Sequence, residues 1–285
     1  MFQTPGLQAR YDELTAHIRQ MGSVIVAFSA GVDSTLLVRA SKDALGSDLV
    51  VAVTGLSDTY PEEEMQEARE LAQELGVEHV MARTEELTDP RYAQNSHQRC
   101  FFCKNELYGR LERVREERGF NLVIDGTNAD DLGDHRPGLR AARDLGVRSP
   151  LEEIGMTKDE IRGISNELGL RTWDKPAFAC LSSRFPYGTP ITVEKLKQVD
   201  AAERVLRQLG FKGFRVRHHE SIARIEVTPD DFPRIVEHHE EIVEGIKAAG
   251  YRFVTLDLKG YASGSLNDEL SIKLRQTTAE TARSA

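Results

Sequence analysis

Residues 29–35 read Ser-Ala-Gly-Val-Asp-Ser-Thr and follow the apolar run Val-Ile-Val-Ala-Phe at 24–28. A strand that turns through small residues into a helix leaves backbone N–H groups unpaired and aimed at one point, beside the positive end of the helix dipole. Such an arrangement holds phosphate. Gly31 allows close backbone approach, and Ser29, Ser34 and Thr35 add hydroxyl donors. Asp33 is suited to positioning Mg2+ or to capping the helix. The stretch lacks both the Gly-Lys-Ser/Thr ending of a Walker loop and the Gly-x-Gly-x-x-Gly of a dinucleotide fold. A second nucleotide signal, Asp-Gly-Thr-Asn-Ala-Asp-Asp, spans 125–131. There Gly126 permits close approach to a flat ring, and Thr127 and Asn128 can bond its edge or the ribose. Asp130 and Asp131 offer oxygen ligands to magnesium; taken alone, the segment is an ordinary turn. Ala27, Phe28, Val32, Thr54 and Arg99 complete the residues expected to line the nucleotide.

The three cysteines are an odd count, and two form Cys100-Phe101-Phe102-Cys103. That spacing points to metal or redox chemistry more than to a structural disulfide. With Cys180, three thiolates match a [4Fe–4S] cluster with one open iron, or three ligands of zinc. His97 can complete a zinc set, and Cys180 acting as a lone nucleophile is a third reading. Arg215 and Arg217 alternate with Val216 on a predicted strand, which places both on one face. With Ser183 and Arg184 they can form a fork for a substrate phosphate; the plain alternative is a solvated polar face.

These residues need elements to hold them. Strand and helix patterns alternate: strand 24–28, helix 33–45, strand 49–54, helix 61–75, strand 79–82, helix 104–117 and strand 122–124, preceded by a helical stripe at 7–21. This order calls for an α/β fold with a parallel sheet. The segments 29–35, 55–60, 84–103 and 125–131 each follow a strand, where ligands sit in such sheets. Past 175 the pattern changes to helix 193–209, strands 214–218 and 222–227, helix 232–249 and strand 253–258. That is a smaller α+β domain, expected to be antiparallel. The predicted boundary gives a nucleotide domain at 1–185 and a substrate and oligomerisation domain at 186–285.

A 285-residue chain with 40% hydrophobic and 29% charged residues is globular in composition. Its formal net charge of −9 opposes a nonspecific grip on nucleic acid. No apolar run reaches the ~20 residues that cross a bilayer, and no secretory signal is visible. The expected location is cytoplasmic, with neither a nucleic-acid nor a membrane partner.

Residues 29–35 resemble the Ser-Gly-Gly-x-Asp-Ser loop of the PP-loop ATP pyrophosphatases. Ala30 replaces a glycine there, a change the loop absorbs if Ala30 has negative φ. The wider set of 29–35, Arg99-Cys100-Phe101-Phe102-Cys103-Lys104, 125–131, Lys175-Pro176 through Gly188, Arg215-Val216-Arg217 and Leu256 through Tyr261 resembles the LarE family over nearly the whole chain. The resemblance implies an ATP-dependent, AMP- and pyrophosphate-forming sulfurtransferase. Its substrate would be pyridinium-3,5-biscarboxylic acid mononucleotide, whose carboxylates become thiocarboxylates for a nickel-pincer cofactor. Cys180 matches the cysteine that gives up its sulfur in single-cysteine members. Cys100 and Cys103 depart from that pattern and are similar to cluster-bearing PP-loop thiolases, so a [4Fe–4S] cluster on Cys100, Cys103 and Cys180 is expected. Family members assemble as hexamers, so a homo-oligomer is expected too, while the sulfur donor is unknown. The competing functions are a tRNA thiolase, an amidotransferase-type pyrophosphatase and an ATP-binding sensor. The acidic charge disfavours the first, chain length the second, and the cysteines and arginines the third.

Overall fold

A computed structural model describes residues 2–133, 137–176 and 179–262. The chain falls into two compact units, Met1–Phe178 and Ala179–Ala285. The first unit runs α1 (Pro5–Arg19), β1 (Val24–Ala27), α2 (Val32–Leu45), β2 (Val50–Leu56), α3 (Glu62–Leu75), β3 (Glu78–Arg83), α4 (Pro90–Ala93), α5 (Arg99–Arg118) and β4 (Leu122–Ile124). Three further helices follow, α6 (Pro137–Asp144), α7 (Pro150–Glu153) and α8 (Lys158–Glu167).

The four strands pair in parallel in the order β3-β2-β1-β4. The inner strands β1 and β2 are apolar because helices cover both faces. Alternation along β1 sends Val24 and Val26 to one core, with Leu36 and Leu37 of α2 and Ile161 and Ile164 of α8. Ile25 points to the other core, with Tyr108 and Leu111 of α5. Each such buried aliphatic side chain stabilises the fold by about 1.5–3 kcal/mol relative to exposure. The order reverses direction at β1, with β2 on one side and β4 on the other. The loops after β1 and β4 therefore face each other at the crevice where open parallel sheets bind ligands.

Two departures from the expected elements bear on the site. Helix α5 starts at Arg99 rather than 104, so Cys100 and Cys103 lie in its first turn and not in a loop. Nothing in Arg-Cys-Phe-Phe-Cys breaks a helix, and the three-residue spacing puts both thiols on one helical side. The stretch after β4, for which the sequence pattern suggests no helix, contains α8. Its start is fixed by a reciprocal capping box between Thr157 and Glu160.

The second unit comprises α9 (Val193–Gln208), β5 (Arg215–His219), β6 (Ile222–Glu226), α10 (Phe232–Glu237), α11 (His239–Ala248) and β7 (Phe253–Leu256). β5 and β6 are antiparallel, but β6 and β7 are parallel, so the sheet is mixed rather than antiparallel. The cause is the α10–α11 crossover, which returns the chain to the starting end before β7 begins. The single helix expected at 232–249 is broken at His238, where the His239 imidazole takes the Val236 carbonyl at 2.9 Å. Val216, Ala223 and Ile225 of the sheet pack with Leu206, Ile242 and Ile246 of the helices. No described helix is long and apolar enough to cross a membrane.

Candidate functional site

β1 delivers the chain into residues 29–35 through Ala27 and the buried Phe28, whose N–H bonds the Val53 carbonyl at 2.9 Å. The turn is closed by Ser34, whose Oγ accepts from Ser29 N at 3.2 Å and donates to Gly31 O at 3.2 Å. Val32 opens α2, while Thr35 is fully buried with no partner for its hydroxyl among the described residues. Ala30 does not have the negative φ that would absorb its substitution. It sits at φ 56°, the left-handed region, and Gly31 takes the extended conformation instead. An alanine held there is disfavoured by roughly 1–2 kcal/mol.

The loop after β4 closes against the same helix start. A Cβ on Gly126 would stand 3.0 Å from Ser34 N and 3.1 Å from Asp33 Cβ, so the close approach that glycine permits is to α2 itself. Asn128 Nδ2 donates to Asp33 Oδ1 at 3.2 Å. Asp131 Oδ2 accepts from Asn128 N and closes a local turn, while Asp130 Oδ2 accepts from Lys158 N at 2.7 Å, the first N–H of α8. Thr127 N donates to Asp125, which also accepts from Tyr108 OH at 2.6 Å and Ser149 Oγ at 2.7 Å. Burial, with the Asp125 carboxylate beside it, pushes the Tyr108 phenol far above its ordinary range.

Two lysines touch the β1 loop, and sequence reasoning gives neither a role. Lys158 Nζ lies 2.7 and 2.5 Å from the two oxygens of Asp33. The Thr-x-x-Glu capping signal at 157–160 could have revealed a helix N-terminus beside it. Lys175 Nζ reaches the Ala30 carbonyl at 3.3 Å, Glu64 at 2.9 Å and Glu67 at 2.6 Å. In the sequence it stands out only as the start of the Lys-Pro motif.

Within β2, Thr54 Oγ1 donates to Phe28 O at 2.7 Å and contacts His79 Nε2 at 2.8 Å. Burial lowers the His79 pKa. The buried Glu86 accepts from Thr59 Oγ1 at 3.1 Å and from Ser57 Oγ. Arg99 is buried and bonds Asn95. On the first turn of α5, Cys100 is exposed and Cys103 half-buried. The two intervening rings carry guanidinium groups, Arg140 at 4.4 Å from the Phe101 centroid and Arg91 at 4.6 Å from that of Phe102. Among the described residues, no three His, Cys, Asp or Glu side chains gather as a metal-binding group.

In the second unit, Cys180 is half-buried and precedes a short 3-10 turn, Leu181–Arg184. Arg184 forms a two-pronged pair with Glu203 of α9, Nε to Oε1 at 2.8 Å and Nη2 to Oε2 at 3.0 Å. Its Nη1 reaches the carbonyls of Ala179 and Cys180 at 2.6 and 3.1 Å, and Ser183 Oγ at 2.9 Å. Burial alone would raise the Glu203 carboxyl, but the charge and hydrogen bonds of Arg184, with Val216 N–H, hold it below the usual range. Arg217 pairs with the buried Glu226 at 2.7 Å and donates to Ser183 O at 2.7 Å. Arg215 lies over the Tyr261 ring at 5.0 Å. Its pKa is depressed by burial and by the positive charge of Arg184, with a smaller effect from Arg217. Arg184 and Arg217 thus both bond Ser183, and each is paired with a glutamate that the sequence did not flag.

A family model described as NAD synthase matches residues 7–114. An uncharacterized protein of Synechocystis sp. is 44% identical over 267 residues, 93% of this chain and 99% of that protein. The pyridinium-3,5-bisthiocarboxylic acid mononucleotide synthase of Lactiplantibacillus plantarum is 39% identical over 258 residues, 90% of this chain and 94% of that one. An uncharacterized protein of Methanocaldococcus jannaschii is more distant, 30% identical over 241 residues, 84% of this chain and 91% of its own. The first two likenesses span both units, and on the strength of the second the chain belongs to the LarE family of PP-loop enzymes.

Proposed function

We propose that this protein is a cytoplasmic, ATP-dependent sulfurtransferase that activates a carboxylate of pyridinium-3,5-biscarboxylic acid mononucleotide and replaces its oxygen with sulfur. The observation that carries the reading is the small-residue loop at 29–35, set at the sheet's reversal point and faced by 125–131. Near full-length similarity to the Lactiplantibacillus synthase supports the substrate.

The chemistry divides between the two loops and the second unit. Residues 29–35 hold the β- and γ-phosphates through backbone N–H groups and the Ser29 and Ser34 hydroxyls. Thr127 and Asn128, with Thr54 and Arg99 in the same role, orient the nucleoside. A substrate carboxylate oxygen attacks the α-phosphorus, pyrophosphate leaves, and the carboxylate becomes an acyl adenylate. A sulfur nucleophile then forms the C–S bond and expels AMP. Ser183, Arg184, Arg215 and Arg217 position the mononucleotide phosphate. The Arg215 guanidinium, oriented by the Phe214 carbonyl at 2.6 Å and the Tyr261 hydroxyl at 3.3 Å, adds its charge to that set. Asp33, Asp130 and Asp131 would hold Mg2+, which would neutralise phosphate charge.

Three thiols, two of them spaced one helical turn apart on α5, are the ligand type that an iron–sulfur cluster takes. Cys100, Cys103 and Cys180 would hold a [4Fe–4S] cluster, which would supply the transferable sulfur. A homo-oligomer, a hexamer by family likeness, and an external sulfur donor belong to the same reading. The test is iron and acid-labile sulfide per chain after purification without oxygen, combined with pyrophosphate release on adding the pyridinium substrate. Near four of each, with more than one turnover, is the expected result. Substrate-dependent pyrophosphate release without iron, leaving dehydroalanine at Cys180, would make that cysteine the donor. Pyrophosphate release that ignores the substrate would end the proposal.

A further inference from the structure

The strained residue of the phosphate loop has a specific anchor. Ala30 is fully buried at φ 56°, a conformation that persists in a non-glycine residue only where its surroundings enforce it. One such enforcement is visible: the Ala30 carbonyl accepts from Lys175 Nζ at 3.3 Å. The other two acceptors of that ammonium are Glu64 Oε2 at 2.9 Å and Glu67 Oε2 at 2.6 Å, so its three protons have three partners. Glu64 and Glu67 are one turn apart on α3 and present their carboxylates together.

Lys175 is itself held. Its N–H bonds the Thr172 carbonyl at 3.0 Å, and its own carbonyl accepts from Arg162 Nη2 at 3.0 Å. Arg162 Nη1 takes the Trp173 carbonyl at 2.7 Å, and Pro176 restricts Lys175 to extended backbone. A charge fixed from behind by α8 and from the side by α3 is thus set against one peptide of the phosphate loop.

We infer that Lys175 is a positioning residue whose ammonium holds Ala30 in the left-handed conformation and so keeps residues 29–35 shaped for phosphate. The inference rests on the proposed ATP site but acts through loop geometry and not through contact with ATP. It predicts a particular coupling, because glycine adopts the left-handed conformation without an anchor.

The test uses the full chain and its K175M, A30G and A30G/K175M variants, with ATP–Mg2+ as the probe. K175M is expected to raise the ATP Kd about tenfold, the loss expected when a left-handed alanine is released. In the A30G background the same substitution should raise it less than about twofold. A K175M/E64Q/E67Q chain, which strands no carboxylates, should behave as K175M does. A ligand-free readout decides the matter even if the ATP site is misassigned: A30G should raise the thermal midpoint more with Lys175 present than in K175M. If K175M costs the same ATP affinity in both backgrounds, the ammonium acts on phosphate itself and the inference is overturned. Equal thermal shifts in both backgrounds overturn it as well.

Discussion

Asp33 meets Lys158 with side chains 23% and 31% exposed, whereas Arg184 meets Glu203 with side chains 1% and 2% exposed. Both are close carboxylate–cation pairs, yet solvent gives them different duties. The first is partly hydrated and contributes about 0–1 kcal/mol, so its carboxylate can change partners as ligand arrives. The second is desolvated, and removing one member leaves a buried charge without compensation. A site that must exchange cations belongs in the first setting, and one that must hold a fixed charge pattern belongs in the second.

The contrast is tested hardest at Glu203. Replacing it by Ala should destabilise the chain by about 3–5 kcal/mol, read as a fall in the denaturation midpoint. The double change E203L/R184M should cost less than either single change; a larger cost would show that the pair itself stabilises. Next in size is D33N, expected to lower substrate-dependent pyrophosphate release about a hundredfold. Its stability should change by less than about 1 kcal/mol, and a large stability loss would move Asp33 into the same class as Glu203. G126A should cost about 1–3 kcal/mol by overpacking against the α2 backbone, and it should weaken ATP binding in step.

The smallest effect is a pH dependence in a half-exposed pair. Burial alone would raise the Glu153 carboxyl, but hydrogen bonds from Arg148 and His17 lower it from 4.5 to about 2. A carboxyl depressed in the folded state stabilises above its unfolded pKa and loses that contribution as pH falls toward the folded value. Stability should therefore decline between about pH 4.5 and pH 2, and E153Q should flatten that part of the curve. An unchanged acid limb would show that the pair is already broken in solution.

The nucleotide loops are legible in the sequence because strand, small residues and helix are contiguous at 24–45, and the parallel sheet follows from alternation. The start of α5 differs from expectation because the chemistry of Cys-x-x-Cys suggests a loop, while its backbone preference is helical. Lys158, Glu203 and Glu226 are invisible for a different reason. Their partners lie on other elements, and Lys158 finds Asp33 across 125 residues of chain. A buried arginine announces that a carboxylate exists but not where, since helix α9 and strand β6 are matched to it only by packing. The conformation of Ala30 is likewise settled by a lysine 145 residues away and not by its neighbours.

The placement of β4 beside β1 has a consequence for synthesis on the ribosome. The phosphate loop emerges early, yet Gly126, Asn128 and Lys158 complete its surroundings from the far end of the same unit. Such long-range closure is slow relative to local helix formation. A nascent chain halted before β4 thus holds the loop's residues without the wall that faces them. ATP affinity in a series of stalled chains should rise late, once Leu122–Ile124 and α8 have left the exit tunnel.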